Sequence, residues 1–138
     1  MRYEKSCGPL IIRKFGGVIK VLLANHMQEG YWSFPKGDFR EDETEFEAVL
    51  RIAGEQTGME VILDTDFRYV TTYAPKKSVT KNVIYYLAIS DNSEVAAHHE
   101  DIQQTEWLTF KEAAGRVIYS SDLDLLESAS KYIRVRYK

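Results

Sequence analysis

A single cysteine, Cys7, in 138 residues leaves no partner for an intrachain disulfide and no cysteine-rich metal site. Surplus charge is also missing. Eighteen Lys and Arg stand against 21 Asp and Glu, a net of −3, so the total favours neither nucleic acid nor an acidic membrane. The basic tail KYIRVRYK at 131–138 reads as the solvated end of a helix, complementing its dipole, and DNA is not an expected partner. No apolar run approaches the length of a membrane span, and the opening MRYEKSCGPL lacks the apolar core of a signal sequence. A cytoplasmic chain without a membrane partner is the expectation. Repeats, low-complexity tracts and linker-like composition shifts are absent too, which points to one domain over 1–138.

What is present is an ordinary globular composition, 44% apolar and 28% charged. Residues 8–14 and 18–24 are β-rich, with Phe15-Gly16-Gly17 as a hairpin turn between them. Residues 31–34, YWSF, form a short aromatic strand that ends at Pro35-Lys36-Gly37, where a polar loop over 38–43 opens. Residues 61–72 are extended, and 75–78 turn the chain. In 79–89, Val79, Lys81, Val83, Tyr85, Leu87 and Ile89 share one face, and Ile84, Tyr86 and Ala88 the other. A further strand over 105–110, a short helix over 111–117 and an amphipathic helix over 122–135 complete the order. The terminal helix is expected to turn Leu123, Leu126, Ala129, Tyr132 and Ile133 inward. A central mixed sheet flanked by helices accommodates this sequence of elements.

The helix after the polar loop has the clearest signals. Thr44-x-x-Glu47 can form a capping box, and Gly58 supplies a stop. Phe46, Val49, Leu50 and Ala53 recur at the spacing of a buried face. Gly54 marks either a close contact or a defect worth roughly 1 kcal/mol against alanine. Glu47, Arg51 and Glu55 lie four apart and form a charged stripe, which in isolation is an ordinary solvated salt-bridge ladder.

Spacing gives that stripe a second meaning. Gly37, five residues, Glu43, seven residues, Arg51, then Ala53, Glu55, Gly58 and Met59 resemble the signature of the Nudix hydrolases. Ile52 and Gln56 stand where the signature has glutamate. The segments SCGPLIIR, VLLANHMQEGYWSFPKGDF, VIYYLA and HEDIQQTEWLTFKEA are similar to Nudix enzymes of the asymmetrical diadenosine-tetraphosphate hydrolase type, so the resemblance spans nearly the whole chain. It implies a Nudix α/β/α sandwich with a central mixed β-sheet.

The resemblance also implies a pyrophosphohydrolase dependent on Mg²⁺ or Mn²⁺, acting on a nucleotide small molecule such as a dinucleoside polyphosphate. A divalent ion clamps phosphate oxygens and lowers the pKa of its water. Glu55 and the backbone carbonyl near Lys36 and Gly37 are then the metal ligands, with Gln56 offering a weaker neutral oxygen. Arg51 pairs with Glu43. Glu47 lies about 12 Å along the helix axis from Glu55, so it would serve only a second, substrate-bridging metal. Asp101 is the candidate base, with Glu100 beside it; His98 and His99 are read as solvent-facing. Lys36 and Lys81 are candidate phosphate contacts, and Tyr85 shares the face of Lys81. Tyr31, Tyr69, Tyr73 and Tyr85 are candidates to stack on adenine. Asp38 replaces the histidine usual in the family. A catalytically impaired domain that only binds nucleotide is the alternative that Ile52 and Gln56 raise.

Overall fold

Strand β1, Arg2–Phe15, is twice as long as its apolar centre because it is paired at both ends. A computed structural model describes residues 2–26, 30–91, 94–95 and 102–137. The outer end of β1 pairs antiparallel with β2, Val18–His26, from Ile12 opposite Val21 to Phe15 opposite Val18. Gly16, at φ +60°, makes the turn between them, a left-handed conformation that glycine adopts without a Cβ penalty. Residues 2–12 of β1 run parallel to β6, Val79–Ser90, in continuous register from Arg2 opposite Val79 to Ile12 opposite Ile89.

Short strands complete the sheet beside the future site. Tyr31–Ser33, β3, pairs with the end of β2, and Gly37–Asp38, β4, pairs with Cys7 and Ser6 of β1. Strand β5, Val61–Lys76, lies antiparallel to β6, and β7, Ile102–Thr109, pairs antiparallel with β2. The order is β3-β2-β1-β6-β5, with β4 and β7 off this path on β1 and β2. The expected mixed sheet is present.

The alternation in β6 sets the layers. Val83, Tyr85 and Leu87 join Leu10, Val21 and Leu23 in a core closed by Leu125, Leu126, Ala129 and Ile133 of α3, Ser120–Arg136. Ile84 and Tyr86 face the other way, with Cys7, onto Ala48, Val49 and Ile52 of α1, Glu45–Thr57. Ala88, Ile11 and Leu22 continue that second face onto Ala53 and Met59. Each buried leucine or isoleucine side chain contributes about 1.5–3 kcal/mol. The short helix α2, Phe110–Ala114, precedes α3. The result is the α/β/α sandwich. Among the described residues no helix is long and apolar enough to cross a membrane.

Both long helices sit rotated from the faces their apolar spacing suggests. In α1, Phe46 and Leu50 are exposed by nearly half, and the buried set is Ala48, Val49, Ile52, Ala53, Gln56 and Thr57. Phe46 instead leans edge-on against Tyr86, with centroids 5.1 Å apart. In α3, Leu123 is exposed and Leu125 and Asp122 are buried in its place, while Tyr132 is half-buried and donates to Asp64. The caps are as expected: Thr44 and Glu47 form the capping box, and Gly58 closes α1 at φ +71°. A Cβ on Gly54 would meet nothing within 4 Å, so this glycine is a tolerated defect and not a close contact.

Candidate active site

The site begins where β1 lets a loop cross over it. A Cβ on Gly8 would lie 2.1 Å from the Pro35 carbonyl oxygen, so only glycine allows the Phe34-Pro35-Lys36 segment so near. The His26 ring donates from Nε2 to the Phe34 carbonyl at 3.1 Å and pins the same segment. Pairing of Gly37 with Cys7 then delivers the chain to the polar loop.

Arg51 closes this loop against α1. Its guanidinium donates to both oxygens of Glu43, at 2.6 and 2.9 Å, to Glu55 Oε1 at 2.6 Å and to the Asp38 carbonyl at 2.8 Å. Glu43 also accepts from the Arg40 backbone N–H at 2.9 Å. The Arg51 bond, followed by that backbone donor, lowers the Glu43 carboxyl from 4.5 to about 2. The Glu43 bond likewise raises Arg51 above its ordinary value. Glu43 and Arg51 are thus a brace of fixed charge.

Glu55 does not stand open for a cation. Besides Arg51 it accepts from Arg40 Nη2 at 3.1 Å, so two guanidiniums face one carboxylate. Gln56, 4% exposed, donates from Nε2 to the Lys36 carbonyl at 2.7 Å. In this arrangement the amide presents a donor, and not its oxygen, to the carbonyl that the resemblance assigns to the ion. Its Oε1 is buried with no hydrogen-bond partner among the described residues, which costs on the order of 1–3 kcal/mol. Ile52, 1% exposed, is a core residue. A Cβ built on Gly37 would meet Ile52 Cγ1 at 3.4 Å and Gln56 Nε2 at 3.5 Å, so these two side chains fill the ground beneath the loop. Among the described residues no three His, Cys, Asp or Glu side chains cluster as a metal site. A divalent ion does not fit these donors as they stand: a hard cation needs several free oxygens, and here a carbonyl is capped and a carboxylate paired.

Lys36 joins the two faces of the sheet. Its carbonyl meets Gln56 of α1, whereas its ammonium is buried on the α3 side and donates to Ser33 Oγ at 3.2 Å. Ser33 Oγ donates in turn to Asp122 Oδ2 at 3.0 Å. Burial raises the Asp122 carboxyl above its ordinary value, and the nearby Lys36 charge opposes that rise. Beside this network stand three aromatic rings. The Lys36 ammonium lies 5.5 Å over the Tyr31 ring, Tyr31 meets Tyr119 edge-on at 5.4 Å, and Tyr119 tilts against Tyr73 at 4.6 Å. Lys81 lies directly opposite Tyr73 in the β5–β6 register, so both project to the same face.

Other expectations need adjustment. Tyr85 is 1% exposed and packs edge-on to Phe34 at 5.6 Å, so its ring is core and cannot stack on a base. Burial, first among causes, raises its hydroxyl well above the ordinary value. Tyr69 packs parallel to Phe67 on the α3 side of the sheet. Glu47 accepts the Thr44 backbone N–H on Oε1 at 3.0 Å and so caps α1. Asp101, Glu100, His98 and His99 lie outside the described residues. Sequence spacing missed Arg40, a spacer position inside the motif, and Ser33, Asp122 and Tyr119, which reach the site from outside it. Only the Ser-Asp pair at 121–122, opening an amphipathic helix, gave any local signal.

The family model for the NUDIX domain matches residues 7–128. This chain belongs to the Nudix hydrolase family. The asymmetrical bis(5'-nucleosyl)-tetraphosphatase of Caenorhabditis elegans is 27% identical to this Nudix chain over 135 residues, covering 94% of it and 96% of the relative. The crystal structure of a C. elegans Ap4A hydrolase binary complex superimposes with a TM-score of 0.88 at 25% identity, covering 95% of this chain and 98% of that one. The mRNA-decapping enzyme subunit 2 of Saccharomyces cerevisiae is 27% identical over 129 residues, 88% of this chain. There the Nudix chain spans only 13% of the relative's length.

Proposed function

We propose that this Nudix domain hydrolyses a phosphoric anhydride in nucleoside polyphosphates, with dinucleoside polyphosphates such as diadenosine tetraphosphate as its substrate class. One observation carries the proposal. Tyr31, Tyr73 and Tyr119 gather around the buried Lys36 network, an aromatic surface for a base within reach of cations for phosphate. Base stacking on aromatic rings is worth about 1–3 kcal/mol per base. Lys81, across from Tyr73, extends the positive charge along the strand. The C. elegans relatives, similar over nearly their whole length, support the same substrate class. Arg51 and Glu43 hold the loop, and Arg40 and Lys36 oppose phosphate charge; Asp101 remains the proposed base. Mg²⁺ or Mn²⁺ would supply an activated water in a family member with a complete box; the donors described here, a capped carbonyl and a paired carboxylate, do not fit it.

That misfit favours a second reading, a domain that binds the nucleotide without turning it over. Both readings are separated by incubating purified protein with diadenosine tetraphosphate, with and without Mg²⁺ or Mn²⁺, beside Glu55→Gln and Tyr119→Ala. Release of ATP and AMP that Glu55→Gln abolishes supports hydrolysis. Binding without products, weakened by Tyr119→Ala, supports the second reading. Neither binding nor products would refute both.

A further inference from the structure

The contact between Gln56 and Lys36 has a chemical meaning that the degenerate motif alone does not carry. An uncapped Lys36 carbonyl and a carboxylate at 56 would present two oxygens to the same point, and such a pair stays together only around a cation. Here the amide N–H takes the cation's place at 2.7 Å from the carbonyl. Rotating the amide to offer Oε1 would set two oxygens against each other at that distance. One turn back along the helix, Ile52 replaces a charge with an apolar side chain that seats on Cys7 and Ile84. Immediately before Gln56, the Glu55 charge is met by Arg40 and Arg51 at 3.1 and 2.6 Å. Three independent substitutions of interaction thus answer each charge that a divalent ion would otherwise balance.

We propose that the Nudix box of this chain is a metal-independent anion site, in which the Gln56 amide locks the Lys36 carbonyl, Arg51 holds the Glu43 and Glu55 charges, and Arg40 offers the exchangeable positive charge. The proposal deepens the nucleotide reading above and rests on it for the identity of the anion. Polyphosphate then enters by taking the place of Glu55 on Arg40, while Arg51 keeps its bonds to Glu43 and Glu55. Arg40 is the accessible one: its side chain is 65% exposed, so a phosphate can reach it and displace Glu55, while Arg51 stays braced by Glu43. A guanidinium fork matches phosphate oxygens as well as carboxylate oxygens.

The test uses the full chain with Mn²⁺ alone, followed by electron paramagnetic resonance, and then ATP by calorimetry with either EDTA or Mg²⁺. The wild type is expected to leave Mn²⁺ free at millimolar concentration and to bind ATP within about threefold the same in EDTA and Mg²⁺. Gln56→Glu, alone and with Ile52→Glu, is expected to create a Mn²⁺ site at least about tenfold tighter than wild type and to gain thermal stability on adding Mn²⁺. Arg40→Ala is expected to weaken ATP binding in EDTA by about tenfold.

One Mn²⁺ bound per wild-type chain and lost in Glu55→Gln would overturn the proposal. So would ATP binding that EDTA abolishes. Should the Ile52→Glu variants fail to fold, the wild-type Mn²⁺ titration and Gln56→Glu still decide the matter. Absence of ATP binding in both media, with Mn²⁺ left free, would sink the nucleotide reading and the anion site with it.

Discussion

Gly8→Ala isolates the crossing on which the whole site depends. The new methyl would sit 2.1 Å from the Pro35 oxygen, 3.1 Å from Lys36 Cα and 3.2 Å from Lys36 Cβ. An oxygen and a carbon normally approach to about 3.3 Å, so the overlap exceeds about 1 Å, against backbone that cannot rotate away. Overpacking of this kind costs about 1–3 kcal/mol, and the lower chain entropy of alanine in the unfolded state returns only ~0.4–1 kcal/mol. A net loss of about 1–2 kcal/mol lowers the melting temperature of a domain this size by roughly 4–8 °C. Movement of Pro35 and Lys36 also pulls the Lys36 carbonyl from Gln56 and its ammonium from Ser33, so nucleotide affinity should fall along with stability. Gly54→Ala is the matched control: nothing lies within 4 Å of its Cβ in the middle of α1, and it should stabilise by roughly 0.5–1 kcal/mol. Differential scanning fluorimetry and nucleotide titration measure both variants. If Gly8→Ala melts within about 1 °C of wild type and binds nucleotide equally well, the close crossing is not real and the account of the site fails.

Acid should loosen the loop brace. Glu43 and Glu45 are held near pH 2 against an ordinary 4.5, by Arg51 and Arg68 respectively. Groups lowered in the folded state stabilise above the ordinary value and lose that contribution as pH falls from about 4.5 toward 2. Urea midpoints at pH 7, 4.5 and 3 should therefore drop most in the last interval, and Arg51→Met should flatten the dependence. Thr44→Ala removes the acceptor for the Glu47 backbone N–H and should cost about 1 kcal/mol in urea unfolding, with Thr44→Ser close to wild type. Tyr119→Ala should weaken adenine nucleotides by about 1–3 kcal/mol, read by calorimetry, and Tyr119→Phe by little, since the ring and not the hydroxyl meets Tyr31 and Tyr73.

Helix faces were legible only to within a fraction of a turn. Spacing placed Phe46 and Leu50 inward, but the sheet seats α1 on Cys7, Ile84 and Tyr86, which draws Ala48 and Ile52 in and leaves Phe46 at the rim. A wide apolar stripe admits either orientation, and the facing surface chooses. Tyr85 shows the same limit on a strand. Alternation put it on the face of Lys81, and the structure keeps it there, but only the packing of Phe34 shows that this end of the strand is closed.

By itself the sequence determined the mixed α/β order, the capping box at Thr44, the stop at Gly58 and the spacing that marks a Nudix chain. These are local: each depends on residues within a turn or a strand of one another, and backbone geometry fixes what they do. Long-range meetings were left to the tertiary structure. Gln56 and Lys36 are 20 positions apart, Arg40 and Glu55 are 15 apart, and Ser33 and Asp122 are 89 apart. Whether a carbonyl faces an amide or a cation, and whether a carboxylate is open or paired, depends on which side chains the sheet brings to it. Residue types at fixed spacing name the machine, and only the contacts between distant segments decide what charge it holds.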